Sequence, residues 1–523
     1  MQAAPTEKMN KFYLTTSIYY VNAKPHVGHC YESTVADALA RYHRLKGEDV
    51  YFLTGTDEHG QKVAKAAAEA GVSTQQFVDS VVQPSIELWK TISISYDDFI
   101  RTTQERHIKV VQAVFSKLQE KGELFESEYK GWYCSACEAF WPESQLEEGN
   151  CPDCKRPVEQ ITETNWFFRM SKYRDWLVGY IREHKDFIRP ESRKNEILSF
   201  LEQPLQDLCI SRPKNRLEWG VEIPFSKDHV SYVWFDALLN YISALGYAGD
   251  EAKFRKYWPA DVQIIGKDII RFHTVFWPII LHTLGIEPPR TVFAHGHWLD
   301  AKGRKMSKSL GNVVDPVDMI NKYGPDPLRY FLLSEIPYGH DGLFSEQALV
   351  SRLNTDLAND IGNLLNRTLT MIEKYYEGKV PSPAKTADAA DDELKSLAAA
   401  LPAKMDAAMA DLDFPSALAA IWELINKANK YIEVQAPWSL DKQGKKDRLS
   451  DVMYNLAEVL RIVAVAVSPF IPESAQKMWE QAGMTGSLSN ARIADIEKWG
   501  LMAPGTQVKK GAPLFPRIDT KAK

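Results

Sequence analysis

Residues 11–60, KFYLTTSIYYVNAKPHVGHCYESTVADALARYHRLKGEDVYFLTGTDEHG, indicate the architecture of this chain. The apolar segment Lys11–Thr16 predicts a buried strand, and a loop is expected over residues 17–25. Apolar side chains then recur at helical spacing from Tyr31 to Tyr42, and DVYFLT at residues 49–54 predicts a second strand. A strand, a helix and a strand in this order are typical of a parallel doubly wound α/β sheet.

The predicted strands are followed by histidine and carboxylate side chains. His26 and His29, in PHVGH, come after the first strand, and Asp57 comes after the second. In doubly wound sheets, ligands bind beyond the carboxyl ends of the strands. The start of the next helix offers unpaired N–H groups, which suit phosphate, and Gly28 would let a nucleotide approach the backbone closely.

A second string, RKMSKSLGN at residues 304–312, places two ammonium groups and hydroxyls on a glycine-flanked loop. Lys305 and Lys308 could neutralise charge that builds up on a polyphosphate during nucleotidyl transfer, and the hydroxyl of Ser307 is also suited to a polyphosphate. The short string PHVGH is a weak signal by itself. The two strings together indicate that a carboxylate is activated by ATP.

The sheet pattern is interrupted and later resumed. Aromatic residues, glycines and cysteines cluster from about residue 121, and a helical stretch follows over about 172–205. Strand-like segments return at residues 231–236, 262–268 and 291–295, which predicts one α/β domain split by an insertion. Helical spacing dominates after about residue 349. The predicted domains are the first half of a Rossmann-like domain at 1–120, an insertion at 121–228, the second half at 229–300, the loop and linking region at 301–350, and an α-helical bundle with a tail at 351–523.

Length and composition limit the class of protein. The chain has 523 residues, which predicts three or four domains. A net charge of −6 argues against a protein that grips nucleic acid with its whole surface, although local basic patches remain possible. The apolar run at residues 462–467 is too short to span a bilayer, and residues 1–10 have no signal-peptide core. We therefore expect no membrane association and a cytoplasmic location.

Four of the six cysteines form two CxxC units, Cys134 with Cys137 and Cys151 with Cys154. In a reducing compartment such pairs indicate a metal site rather than disulfides. Four thiolates can close a tetrahedral shell around Zn²⁺ and leave no open position. The spacing predicts one structural zinc knuckle inside the insertion.

The chain resembles the class I aminoacyl-tRNA synthetases, and among them the methionyl-tRNA synthetase family of bacterial type. Its two strings are similar to the HIGH and KMSKS signatures of that class, and His26-Val27-Gly28-His29 departs from HIGH at the second letter only. Residues 16–22, 55–60, 232–237 and 435–438 also resemble segments of the family. The resemblance covers nearly the whole chain.

The resemblance implies an ATP-dependent ligase that forms methionyl-adenylate and pyrophosphate and then charges the 3′-terminal adenosine of tRNA(Met). His26, His29, Lys305 and Lys308 would be catalytic, and Mg²⁺ would accompany ATP. ATP would also contact Gly28, Gly266 and Ser307. The implied methionine-binding residues are Ile18, Tyr20, Asp57, Trp234, Ala237, Leu238, Tyr241, Phe272, His273 and Trp277. The implied anticodon-binding residues, in an α-helical anticodon-binding domain, are Asn359, Asn363, Arg367 and Trp438.

Other functions remain open at this point. Enzymes for valine, isoleucine or leucine share the pattern but carry larger editing insertions, and a cysteine enzyme would place metal ligands in its substrate pocket. A non-catalytic tRNA-binding relative would not need the lysines and histidines of both strings. A small-molecule nucleotidyltransferase would not need the long helical region. No dimerisation module is evident, so we expect a monomer that binds ATP, L-methionine and tRNA(Met).

Overall fold

A computed structural model describes residues 10–21, 24–135, 139–141, 143–152, 154–306 and 311–519. None of the helices in these ranges combines the length and apolar character needed to cross a lipid bilayer. The first part of the chain alternates strands and helices, as expected. Its elements are β1 (Lys11–Tyr20), α1 (Val27–Leu45), β2 (Asp49–Asp57), α2 (Gln61–Ala70), α3 (Thr74–Thr91), β3 (Asp98–Arg101) and α4 (Glu105–Glu120).

The next part is richer in short strands. Its elements are β4 (Leu124–Cys134), β5 (Ala139–Trp141), β6 (Glu159–Phe168), α5 (Arg174–Glu183), β7 (Ile188–Arg189), α6 (Glu191–Phe200), β8 (Leu208–Cys209), β9 (Ser211–Pro213), β10 (Glu222–Ile223) and β11 (Ser226–Ser231). The α/β pattern then resumes. Its elements are α7 (Val233–Leu238), α8 (Asn240–Ser243), α9 (Glu251–Tyr257), β12 (Val262–Gly266), α10 (Trp277–Leu284), β13 (Val292–His295) and β14 (Trp298–Leu299).

The remainder is almost entirely helical. Its elements are α11 (Pro316–Tyr323), α12 (Pro325–Ser334), β15 (Gly342–Leu343), α13 (Glu346–Arg352), α14 (Asn363–Tyr376), α15 (Ala389–Ala410), α16 (Phe414–Gln435), α17 (Pro437–Lys442), α18 (Lys446–Val467), α19 (Pro472–Gln481) and α20 (Ala494–Glu497). Buried apolar side chains at Leu353, Leu357, Ile361 and Leu364 form the predicted stripe. The chain between α13 and α14 is π-helical, so the stripe does not lie on one continuous α-helix.

The main sheet is parallel and has six strands in the order β3-β2-β1-β12-β13-β7. β1 pairs with β2 on one side and with β12 on the other, so the strand order reverses at β1. The crevice between the carboxyl ends of β1 and β12 is the place where such sheets bind ligands. The predicted doubly wound fold is confirmed, and it places the ends of β1, β2 and β12 side by side.

Four segments differ from the sequence prediction. β1 runs to Tyr20 and β2 to Asp57, so both are longer than predicted and the loop expected from residue 17 begins later. The strand predicted at residues 231–236 is wrong, because β11 ends at Ser231 and α7 follows. A short apolar run fits a buried strand and a buried helix equally well. β7 interrupts the predicted helical stretch and pairs with β13 at the edge of the main sheet.

A buried arginine joins the α/β domain to the helical region. Arg329 of α12 is 0% exposed, and its Nη2 lies 2.6 Å from Oδ2 of Asp37 in α1. Its guanidinium also donates to the backbone oxygens of Ile92, Pro469 and Phe470. Burial opposes ionisation of Asp37, but the charges of Arg41 and Arg329 outweigh it and lower its pKa to about 2. Arg329 therefore connects α1, through its ion pair with Asp37, to the turn after α18, through its hydrogen bonds to Pro469 and Phe470.

Candidate active site

A cavity of about 530 Å³ opens at the carboxyl ends of β1, β2 and β12. It brings together most of the residues predicted for ATP and methionine. The predicted residues that line it are Ile18, Tyr20, His26, Gly28, His29, Asp57, Trp234, Ala237, Leu238, Tyr241, Gly266, Phe272, His273 and Lys305. Ser307 and Lys308 lie outside the described residues.

The two histidines are held by the first turn of α1. His26 is the N-cap residue, and its Nδ1 accepts the backbone N–H of Gly28 at 3.0 Å. The backbone N–H of His26 in turn donates to Nδ1 of His29 at 3.0 Å. A nitrogen that accepts an N–H carries no proton, so the proton of each neutral ring is on Nε2. This capping box therefore orients two imidazoles as N–H donors beside a helix N-terminus, where anions bind.

His29 stays neutral at physiological pH. Desolvation in the cleft is the largest cause that lowers the pKa of His29, to about 3. The ring centroids of the two histidines are 4.0 Å apart. A neutral His29 can donate a hydrogen bond from Nε2 but carries no positive charge.

Gly28 is required by the His26 ring. A Cβ atom at this position would lie 2.8 Å from Cε1 and 3.0 Å from Nδ1 of His26. The ring could not keep its hydrogen bond to the Gly28 N–H without shifting. The glycine thus allows the cap itself, in addition to the close approach of a ligand expected from the sequence.

The second string reaches the same cavity, which Lys305 also lines. Nζ of Lys305 lies 3.7 Å from Oδ2 of Asp268, just beyond the end of β12. Oδ1 of Asp268 lies 3.2 Å from Nε2 of His297. Partial desolvation in the cleft would raise the pKa of Asp268, but the hydrogen bond from His297 and the charges of His297 and Lys305 hold it below its usual range. A Cβ at Gly266 would lie 2.7 Å from Asp268 Oδ1, so this glycine makes room for the carboxylate.

The register of β1 with β2 places several residues predicted to bind methionine next to one another on neighbouring strands. Ile18 pairs with Gly55, and Tyr20 pairs with Asp57. Ile18 and Tyr20 are two residues apart and project to the same face. The register of β1 shifts between Thr15 and Ile18, which changes the position of these side chains relative to a regular strand. Asp57 lines the cavity and is 8% exposed.

An aromatic wall faces these strand ends. The rings of Trp234 and Phe272 stack at 3.8 Å with an interplanar angle of 9°. Nδ1 of His273 donates to the backbone oxygen of Ile269 at 3.0 Å, and the hydroxyl of Tyr241 donates to its Nε2 at 2.8 Å. Both imidazole nitrogens of His273 are thus engaged in hydrogen bonds within the protein. Burial lowers the pKa of His273 to about 4.

Trp277 is not among the residues that line the cavity. It is 0% exposed, and its ring packs 5.9 Å from Tyr241 and 6.1 Å from Trp258. Trp277 therefore packs against Tyr241, which lines the cavity, and does not line the cavity itself.

Sequence reasoning missed several polar residues that line the cavity. Oε1 of Glu32 accepts the backbone N–H of Ser17 at 2.6 Å, and its Oε2 lies 3.0 Å from Nε2 of His295. Asp268 follows β12, whereas His295 and His297 lie at and just beyond the end of β13. The rule that identified His26 and Asp57, a polar residue at the carboxyl end of a central strand, could have identified these three as well.

Three of the four paired cysteines meet in space. The sulfur atoms of Cys134, Cys151 and Cys154 lie within 4.8 Å of one another, and those of Cys134 and Cys154 are 3.5 Å apart. Tetrahedral Zn²⁺ with bonds of about 2.3 Å would separate its sulfur ligands by roughly 3.8 Å, so the cluster could bind a metal. Cys137 lies outside the described residues. Cys154 also lines the cavity, so the cluster borders the active site.

The residues predicted to read an anticodon all lie in the helical region. Nδ2 of Asn363 donates to Oδ1 of Asn429 at 3.3 Å, and Nη2 of Arg367 lies 2.6 Å from Oε1 of Glu433. Asn359 is exposed one turn before α14. Trp438 is 40% exposed at the start of α17, directly after the helix that carries Asn429 and Glu433.

Comparison with known proteins agrees with this arrangement. Residues 12–163 and 156–369 match the family described as tRNA synthetases class I (M), and residues 391–510 match the anticodon-binding domain of tRNA ligase. The fold and the site therefore define a class I tRNA synthetase with a helical anticodon-binding domain.

Comparison with individual proteins shows to which family within the class I tRNA synthetases the chain belongs. The chain is 52% identical over 512 residues to a methionine–tRNA ligase of Caldanaerobacter subterraneus subsp. tengcongensis, covering 98% of this chain and 79% of the relative. It is 47% identical over 529 residues to the methionine–tRNA ligase of Bacillus subtilis, covering 98% and 79%. A Mycobacterium tuberculosis methionyl-tRNA synthetase in complex with methionyl-adenylate superposes with a TM-score of 0.92 at 43% identity, covering 97% and 100%. The chain belongs to the methionyl-tRNA synthetase family.

Proposed function

We propose that this chain activates L-methionine with ATP to methionyl-adenylate and pyrophosphate and then transfers methionine to the 3′-terminal adenosine of tRNA(Met). One observation carries the proposal. His26 and His29 from one string and Lys305 from the other, far apart in sequence, line a single cavity, which Asp57, Trp234 and Phe272 also line.

The first step needs no nucleophile from the protein, because the methionine carboxylate attacks the α-phosphate. The residues of this chain position the reactants and stabilise charge. The Nε2–H groups of His26 and His29 would donate to phosphate oxygens, and Lys305 with Lys308 would neutralise the leaving pyrophosphate. Mg²⁺ would enter with the triphosphate.

The amino-acid end combines a carboxylate with an apolar wall. Asp57 would bind the ammonium group of methionine, and the stacked pair of Trp234 and Phe272 would contact its side chain. A thioether is unbranched and polarizable and forms favourable contacts with aromatic rings. Ile18, Tyr20, Ala237, Leu238 and Tyr241 would complete this pocket.

The cysteine cluster would hold Zn²⁺ as a structural metal, with Cys137 as the fourth ligand of Cys134, Cys151 and Cys154. When bound, the ion cross-links a region with little apolar core of its own. Thiolate ligands of this kind persist in a reducing compartment, which supports a cytoplasmic location.

The helical region would bind the anticodon of tRNA(Met). Asn359, Asn363 and Arg367 would hydrogen-bond to the edges of unstacked bases, and Trp438 would stack on a base. This combination is how single-stranded RNA loops are usually recognised.

Amino-acid-dependent exchange of pyrophosphate into ATP tests the proposal. We expect exchange with methionine and not with valine, isoleucine, leucine or cysteine. Lys308→Ala should lower the exchange rate by about a hundredfold or more while methionine binding is kept. Exchange driven best by another amino acid, or none with methionine, would reject the function. Charging of tRNA(Met) by the parent protein then tests the second step.

A further inference from the structure

A buried carboxylate that neither step of the reaction uses lies on α7, the helix that carries three of the residues proposed to bind methionine. Asp236 of α7 is 0% exposed. Its Oδ2 lies 2.7 Å from Nδ1 of His59, and its Oδ1 lies 2.8 Å from Nε2 of His107. His59 is 6% exposed and His107 is 0% exposed, so the three side chains form a cluster closed off from solvent.

The carboxylate is ionised. Burial opposes its charge, but the charge of His59 and the hydrogen bonds from His107 and His59 outweigh burial and lower the pKa of Asp236 to about 2. An ionised carboxylate only accepts hydrogen bonds, so the imidazole nitrogen on each side carries a proton. Two charge-assisted hydrogen bonds in a dry interior hold their partners at fixed separations.

The cluster connects the elements that build the amino-acid end. His59 lies two residues after Asp57, at the end of β2. Asp236 lies on α7, whose Trp234, Ala237 and Leu238 line the cavity. His107 belongs to α4, and α4 does not line the cavity.

The contact continues to α8. Nδ1 of His107 lies 2.8 Å from Oγ of Ser243. The same short helix carries Tyr241, whose hydroxyl donates to His273 in the cavity wall. His107 thus contacts α7 through Asp236 and α8 through Ser243.

The far side of His59 is also fixed. Its ring lies 5.6 Å from the ring of Trp219, whose Nε1 donates to the backbone oxygen of Glu58 at 2.6 Å. The backbone between Asp57 and His59 is therefore held from both sides.

We infer that Asp236, with His59 and His107, is a positioning cluster that sets the distance between the Asp57 carboxylate and the aromatic wall, and so determines how well methionine is bound. This inference rests on the proposed function. None of the three residues lines the cavity. It acts through Asp57 on β2 and through Trp234, Ala237 and Leu238 on α7, and the nucleotide end of the cavity is built on other elements.

The test uses steady-state pyrophosphate exchange, which gives the KM for methionine and the KM for ATP separately. Asp236→Asn keeps the shape of the side chain but presents an amide donor to an imidazole N–H. We expect the KM for methionine to rise by about tenfold to a hundredfold, while the KM for ATP stays within about twofold of the parent. Equilibrium dialysis of methionine without ATP should show the same loss of affinity.

Glu458→Gln is the matched control. Glu458 is also a 0% exposed carboxylate, paired with Arg461 and accepting the backbone N–H groups of Gly500 and Met502, but it lies in α18 away from the cavity. We expect Glu458→Gln to lower the midpoint of thermal unfolding without changing the KM for methionine. A rise in that KM caused only by general destabilisation would appear in both variants.

Two milder variants keep the test decisive if Asp236→Asn does not fold. His107→Gln and Ser243→Ala remove successive outer members of the cluster and should raise the KM for methionine in that order of severity. Folded variants with the parental KM for methionine would overturn the inference. Absence of methionine-dependent exchange in the parent protein would instead reject the proposed function.

Discussion

Nζ of Lys305 lies 3.7 Å from Oδ2 of Asp268, although the two residues belong to a loop and to the end of a central strand. The side chains are 66% and 53% exposed. An ion pair this exposed contributes little to stability, so Lys305 can leave Asp268 for a phosphate group without a large penalty.

Lys305→Ala should therefore affect the reaction and not the fold. We expect the rate of pyrophosphate exchange to fall by about a hundredfold and the free energy of unfolding to change by less than about 0.5 kcal/mol. Lys302→Ala, an exposed lysine of the same loop, should leave the rate nearly unchanged. Equal losses in the two variants would argue for a general effect of loop charge.

Gly28→Ala should displace the His26 ring, because the new Cβ would lie 2.8 Å from Cε1. We expect a rise in the KM for ATP and a fall in kcat for exchange of about tenfold or more. The control is Gly179→Ala on α5, where a Cβ meets nothing within 4 Å. It should be neutral or stabilise by up to about 1 kcal/mol, and parental kinetics in both variants would contradict the role of the cap.

Acid should destabilise the fold partly through His273. Burial lowers its pKa from 6.5 to about 4, so as the pH falls below 6.5 the unfolded chain takes up a proton that the folded chain refuses. Its stabilising contribution is complete above 6.5 and is lost as the pH falls towards 4. Denaturant unfolding at pH 7 and pH 5 should show that the parent loses about 2 kcal/mol more than His273→Gln. Equal losses would mean that His273 does not titrate this way.

Cys151→Ser should release the metal. We expect purified parent protein to contain about one zinc per chain and the variant to contain much less, as measured by elemental analysis. Cys30→Ala changes a buried cysteine of α1 outside the cluster and should keep the parental zinc content. Full zinc content in Cys151→Ser would refute the assignment.

Arg367→Ala should weaken tRNA charging selectively. Loss of a base contact typically costs about 1–3 kcal/mol, so we expect the kcat/KM for tRNA(Met) to fall about tenfold to a hundredfold while pyrophosphate exchange is unchanged. Lys374→Ala, an exposed cation on the same helix, is the control for charge. A matching loss of exchange would point to a folding defect instead.

The parts of the molecule that were predictable depend on local pattern. The doubly wound sheet, the cysteine pairs and the residues at the ends of β1 and β2 follow from periodicity, spacing and the position of polar residues after strands. The two-residue strand β7 has no period to detect, and the apolar run that forms α7 fits either structure. Pairs such as Glu32 with His295 and Asp236 with His107 are created by tertiary packing between distant segments. No local signal indicates them.

The buried contacts of the Arg329 guanidinium limit where this chain can be truncated. Its acceptors come from α1, from the turn after α3 and from the turn after α18. A fragment ending before residue 469 would retain the arginine in an apolar interior and lose two of its acceptors, at a cost of several kcal/mol. Point substitutions, rather than truncations, are therefore the means to test the α/β domain and the helical region separately.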